Sequence, residues 1–153
     1  MAKNTSNTSY RKLDVDAFDP EKYDETEEFT DNVGIAGPDE RVVQQFLQSG
    51  KHTEALKAAL TNPPLNSKNK AITEKAVSTV VKVLTTVRSP DIAASLKSLD
   101  DDEIDILMKY IYKGMELMAE GGTCNSLLSW HSQTFARSGH GSIMRVISDR
   151  SHL

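Results

Sequence analysis

The residues from Ser129 to Ser142, SWHSQTFARSGHGS, hold two histidines and four serines, and the lone cysteine, Cys124, lies just upstream. Such a set could bind a metal, run a nucleophile with a histidine base, or cradle a phosphate on Gly139-His140-Gly141. Spacing argues against each. Residues nine apart on a helix point in opposite directions, so His131 and His140 would not share a metal on one helix, although Gly139 between them could reorient the second. Ser129 lies two residues before His131 and faces away from it. A G-x-S-x-G elbow is absent, because His140 and Met144 flank Ser142 at the glycine positions. Cys124 and His131 do share a helix face, but two turns apart, about 10 Å along the axis, which exceeds nucleophile–base reach. A thiol near a helix N-terminus can have a lowered pKa. On an apolar face, though, a lone cysteine is ordinarily a small buried hydrophobe, and His131 beside it a satisfied core histidine. The Gly-His-Gly follows no strand and precedes no Walker lysine, so it reads as a helix stop and a tight turn. The acids Asp100–Glu103 lack the spaced oxygens, central glycine and closing glutamate of a calcium loop, and suit a helix N-terminus instead. No catalytic residue, cofactor or metal is assigned, and the chain is read as a non-enzyme.

The elements that carry these residues are helices. AGPDERVVQQFLQSG starts with Pro38 in the first turn and stops at Gly50, with Val42, Val43, Phe46 and Leu47 on one face. KHTEALKAALTNPP gives a second helix with Leu56, Ala59 and Leu60 inward, ended by Pro63-Pro64, so the two read as a helical hairpin. A longer helix over about 67–87 carries Ile72, Ala76, Val80, Val83, Leu84 and Val87, widened by Val77 and Val81. Its β-branched residues have low intrinsic propensity, so burial must hold it. SPDIAASLKSL is a short helix with Ser89 as N-cap and Pro90 at N1.

DDDEIDILMKYIYKGMELMAEGG carries a capping box, Asp100 with Glu103. Ile104, Leu107, Met108, Ile111, Met115 and Met118 make one apolar face, and Ile106, Tyr110 and Leu117 a second, roughly opposite. A helix apolar on two sides is central in its domain or covered by another subunit. A sixth helix over about 123–138 turns Cys124, Leu127, Leu128, His131 and Phe135 one way and Trp130 another. Gly139 caps it, and a seventh begins near Ser142 with Ile143, Val146 and Ile147 inward. Trp130 has two open readings: folded against a neighbouring helix, or a partner anchor. Arg137, Arg145 and Arg150 give this end a basic surface. The expected fold is all-α, about seven helices in an α-α superhelix, residues 38–153, preceded by an extended acidic segment, residues 1–37.

The segment at the front is unlike the body. Residues 13–31 hold nine acids and one lysine, whereas residues 32–153 hold thirteen acids and fourteen basic residues and are nearly neutral; the whole chain carries a net charge of −4. Four of the aromatics, Tyr10, Phe18, Tyr23 and Phe29, fall in it. Leu13, Val15 and Ala17 alternate with charged residues, the period of an extended peptide with one apolar edge. Two readings stand, a solvated acidic tail or a segment that docks in extended form on a partner. The scattered basic residues form no stripe for nucleic acid. The single cysteine excludes an internal disulfide framework and a cysteine-rich zinc site. No apolar run approaches the roughly 18–20 residues of a membrane span. MAKNTSNTSYRK has no apolar core of a secretory leader, so a cytoplasmic protein is expected.

Taken in order, RKLDVDAFDP, AGPDE, ALKAALTNPPLNSK, LMKYIYKGME and LLSWHSQTFARSGHGSIMRVISDR, spanning residues 11–150, resemble one family closely: subunit 5 of the actin-related protein 2/3 complex. The resemblance implies a non-catalytic subunit, in α-α superhelical form, of a seven-subunit assembly that nucleates actin filaments as branches. ATP chemistry would belong to the two actin-related subunits. It implies a hetero-oligomer in which the body packs on subunit 4 and near the WD-repeat subunit 1, while the front segment reaches actin-related protein 2. Tyr10, Leu13, Val15, Phe18 and Tyr23 then become the expected tether, and Ile106, Tyr110, Leu117, Trp130, Met144 and Arg145 the expected body interface. The cytoplasm, the actin cytoskeleton and cell projections become the expected location. The rival is a free-standing helical adaptor.

Overall fold

The structure, a computed structural model, describes residues 37–67, 69–118 and 122–153. All the regular elements among them are helices: α1 Glu40–Gln48, α2 His52–Leu60, α3 Lys70–Thr86, α4 Ser89–Lys97, α5 Asp101–Leu117 and α6 Gly122–Ser148. The all-α expectation holds.

Local chemistry sets most of the boundaries. The Asp39 carboxylate accepts the Arg41 amide N–H and opens α1, so Pro38 stands just before the cap and not in the first turn. Asn69 opens α3 in the same manner through the Ala71 N–H. For α4, Ser89 is already helical, Arg88 occupies the cap position and no side chain caps it; Pro90 alone pre-sets the first turn. The Asp100–Glu103 capping box forms as expected: each side chain accepts the other's backbone N–H, at 2.7 and 3.0 Å.

The core runs through α3 and α5. Val77, Val80, Val83 and Leu84 of α3 are fully buried with Leu56 and Ala59 of α2 and Leu107 and Ile111 of α5. Helix α5 packs on α2, α3 and α6, which answers the question of its two apolar faces: it is central. Gly114 permits the approach. A Cβ there would sit 2.9 Å from Val81 Cγ2 and 3.4 Å from Leu127 Cδ1.

Helix α6 is two helices in one. Gly139, at φ 66° and ψ −163°, leaves helical geometry between them. Before it, Leu127 lies against the Gly114 position and His131 meets Tyr112, so this part runs opposite to α5. After it, Arg145 pairs with Asp105 and Asp149 with Lys109, so the chain now advances with α5. The positive φ makes this reversal a glycine position. The sixth and seventh helices expected from the sequence are therefore these two halves.

Candidate partner-binding surfaces

Three of the serines and both histidines of this stretch take structural contacts, and Cys124 is half-buried with a free thiol. Ser129 Oγ donates to the Asn125 carbonyl and Ser142 Oγ to the Gly139 carbonyl, while Ser138 Oγ bonds both the Thr134 carbonyl and Ser142 Oγ. The Ser138 and Ser142 hydroxyls stitch the helix ends at the reversal. His131 Nε2 lies 3.1 Å from the Tyr112 hydroxyl, and its ring stacks with Phe135, which meets His140 edge-on. The two histidines thus belong to one ladder of rings across the reversal. Among the described residues, no group of His, Cys, Asp or Glu side chains is placed to hold a metal ion.

The expected body-interface residues divide by burial. Trp130 is fully buried, and its indole N–H donates to the Leu84 carbonyl at 2.9 Å. Leu84 lies in the last turn of α3, where carbonyls lack helical partners, and Trp130 satisfies one of them. Tyr110 is also fully buried, between helices, and its hydroxyl has no partner among the described residues. Burial pushes that phenol well above its ordinary range. Neither side chain offers surface, so the packing reading of Trp130 is the one that the structure takes. Ile106 is half-buried against the core. Leu117 is 40% and Met144 60% exposed, and Arg145, half-exposed, is clamped on Asp105 through both its Nε and a terminal nitrogen. The tether residues Tyr10, Leu13, Val15, Phe18 and Tyr23 lie outside the described residues.

Two expectations about α6 are corrected. Leu128 and Ile147 point outward, at 51% and 71% exposure. In the first half, the large Trp130 takes the inner position with Leu127 and Thr134, which rotates Leu128 out. In the second half, the reversal resets the phase: Ser142 is buried and Ile143 and Val146 half-buried, leaving Met144 and Ile147 one turn apart on the solvent side. Lys109 was not singled out, yet it is 7% exposed and paired with Asp149. A signal for it exists in the sequence: Asp105 and Lys109 stand four apart, as do Arg145 and Asp149 with the signs reversed. An open groove of about 580 Å³ also lies between the start of α1 and α3, lined by Pro38, Arg41, Ile72, Lys75 and Thr79.

Residues 9–153 match the family model described as the ARP2/3 complex 16 kDa subunit (p16-Arc). The chain is 44% identical over 151 residues to a cattle (Bos taurus) protein named actin-related protein 2/3 complex subunit 5-like protein, covering 98% of each. It is 41% identical over 147 residues to the probable actin-related protein 2/3 complex subunit 5 of Caenorhabditis elegans, covering 96% of this chain and 99% of that one. A subunit 5-C of the same complex from Xenopus laevis is 41% identical over 150 residues, with 98% of each covered.

Proposed function

We propose a function from one premise: the chain belongs to the family of the ARP2/3 complex 16 kDa subunit. We infer that it is a non-catalytic structural subunit of that actin-nucleating complex, working in the cytoplasm at the actin cytoskeleton and in cell projections. The helical body is the constitutive anchor, held on subunit 4 and the WD-repeat subunit 1. The front segment, through Tyr10, Leu13, Val15, Phe18 and Tyr23, tethers actin-related protein 2. The observation that carries this reading is the match over residues 9–153, which takes in both the acidic segment and the helical body.

The physical case for the division of labour is effective concentration. A body fixed to the assembly and an arm on a subunit that must move keep that subunit at high local concentration through the movement. On the body, Leu117, Met144 and the edge of Ile106 are the apolar contact candidates, with Arg145 held in place by Asp105 at the rim. Tyr110 and Trp130 act from within, by fixing the helices that present them. No helix of the described residues is long and apolar enough to cross a membrane.

The test is a complex reconstituted with the chain lacking residues 1–37. Retention of the other subunits with loosened actin-related protein 2 and reduced nucleation is expected. Unchanged retention and unchanged nucleation contradict the tether.

A further inference from the structure

The segment after α6 is bound at three places, and none of them is needed to end a helix. The Lys109 ammonium, on central α5, donates to the Asp149 carboxylate and, at 2.7 Å, to the Ser151 carbonyl. The Asn66 amide N–H, in the turn between α2 and α3, donates to the His152 carbonyl at 2.7 Å, and the His152 N–H returns a bond to the Asn66 side chain at 3.0 Å. Leu153 packs on the core. Asn66 takes a left-handed φ of 56°, a conformation that asparagine adopts more readily than most residues.

We propose that residues 149–153 form a clasp, a single cooperative unit that ties α5 to the α2–α3 turn and holds the chain after Gly139 against the body. Its logic is charge. The Lys109 side chain is 7% exposed, and among the described residues the carboxylate in salt-bridge range of its ammonium is that of Asp149. Opening the clasp therefore removes the ion pair of the ammonium and its bond to the Ser151 carbonyl together, which makes the open state unfavourable and the closing cooperative. Asp149 is itself fixed by the Ser151 N–H at 3.1 Å, so the carboxylate cannot leave Lys109 without releasing the backbone that Lys109 also holds. The Asn66–His152 pair extends the unit to the far side. The clasped stretch adjoins Met144 and Ile147, so closure also fixes how these exposed residues are presented.

The experiment is hydrogen exchange and NMR on the full chain. The reporter is the Asn66 amide, bonded to the clasp but remote in sequence from Lys109. In Asp149→Asn and in Lys109→Met the Asn66 amide is expected to exchange at least about tenfold faster, while the amides of α4 keep their rates. Asn66→Gly, which keeps the left-handed turn and removes the side-chain acceptor, serves where those variants fold poorly. It is expected to move the Asp149 titration up towards the ordinary carboxylate value. An Asn66 amide indifferent to Lys109 and Asp149, or an Asp149 titration indifferent to Asn66, means separate local contacts and overturns the clasp.

Discussion

The indole N–H of Trp130 bonds the Leu84 carbonyl across 46 residues, at 2.9 Å and with the side chain wholly out of solvent. One side chain thus fills the space between α3 and α6 and satisfies a carbonyl that the end of α3 leaves open. The two roles are separable. Trp130→Phe keeps most of the volume but strands the carbonyl, and is expected to cost about 1–3 kcal/mol. Trp130→Ala adds a cavity and is expected to cost about 3–5 kcal/mol. Urea unfolding of the isolated chain measures both. Equal losses would mean that the ring volume contributes nothing, and a Trp130→Phe variant as stable as the unaltered chain would mean that the hydrogen bond contributes nothing.

Gly114 carries the close approach of α5 to α3. Alanine at a helix interior ordinarily gains roughly 1 kcal/mol over glycine. Here its Cβ meets Val81 at 2.9 Å, so Gly114→Ala is expected to destabilise by about 1–2 kcal/mol net. In a Val81→Ala background the same change is expected to become stabilising. Thermal or urea unfolding of the four variants gives the coupling.

Most of the fold is legible in the sequence because periodicity and punctuation agree. The Asp100–Glu103 capping box and the apolar stripe of α3 emerge as read, and of the second apolar face of α5 Tyr110 is buried while Leu117 is exposed. What is not legible is rotation within a helix where two large residues compete for the inside. Leu128 and Trp130 both fit an inner face, and only the Leu84 carbonyl decides between them. Phase after a glycine reversal is equally hidden, which is why Ile147 reads inward and lies outward. The clasp shows in the sequence only as the matched spacing of Asp105–Lys109 and Arg145–Asp149, because Lys109 and Asp149 lie forty residues apart and a lysine in a helical stripe is ordinarily a solvated charge.

The clasp gives a pH dependence with a definite sign. The Lys109 hydrogen bond, then the Ser151 N–H, hold the Asp149 carboxyl below its ordinary value of 3.8. The unfolded chain therefore binds a proton there at higher pH than the folded one. Its contribution to stability is full above about pH 5 and falls away as pH drops through the depressed folded value. Asp149→Asn is expected to flatten this part of the acid limb, read as urea midpoints between about pH 2 and pH 6. An acid limb identical in the variant would contradict it.

Met144 and Ile147 are exposed and make little of the core, so Met144→Glu and Ile147→Glu are expected to change the stability of the isolated chain by no more than about 0.5 kcal/mol. At a buried partner interface the same charges are costly, and incorporation into the complex is expected to fall at least about tenfold. Competition against the unaltered chain in reconstitution measures this. Full incorporation of both variants would place the interface on another face.

The central claim is that this chain works as a fixed part of an actin-nucleating assembly. The most direct measurement is affinity purification of the tagged chain from cytosol, with the co-purifying proteins identified and quantified by mass spectrometry. The account predicts stoichiometric recovery of the remaining subunits, both actin-related proteins among them. Recovery of the chain alone, soluble and monomeric, would contradict it and leave a free-standing helical adaptor.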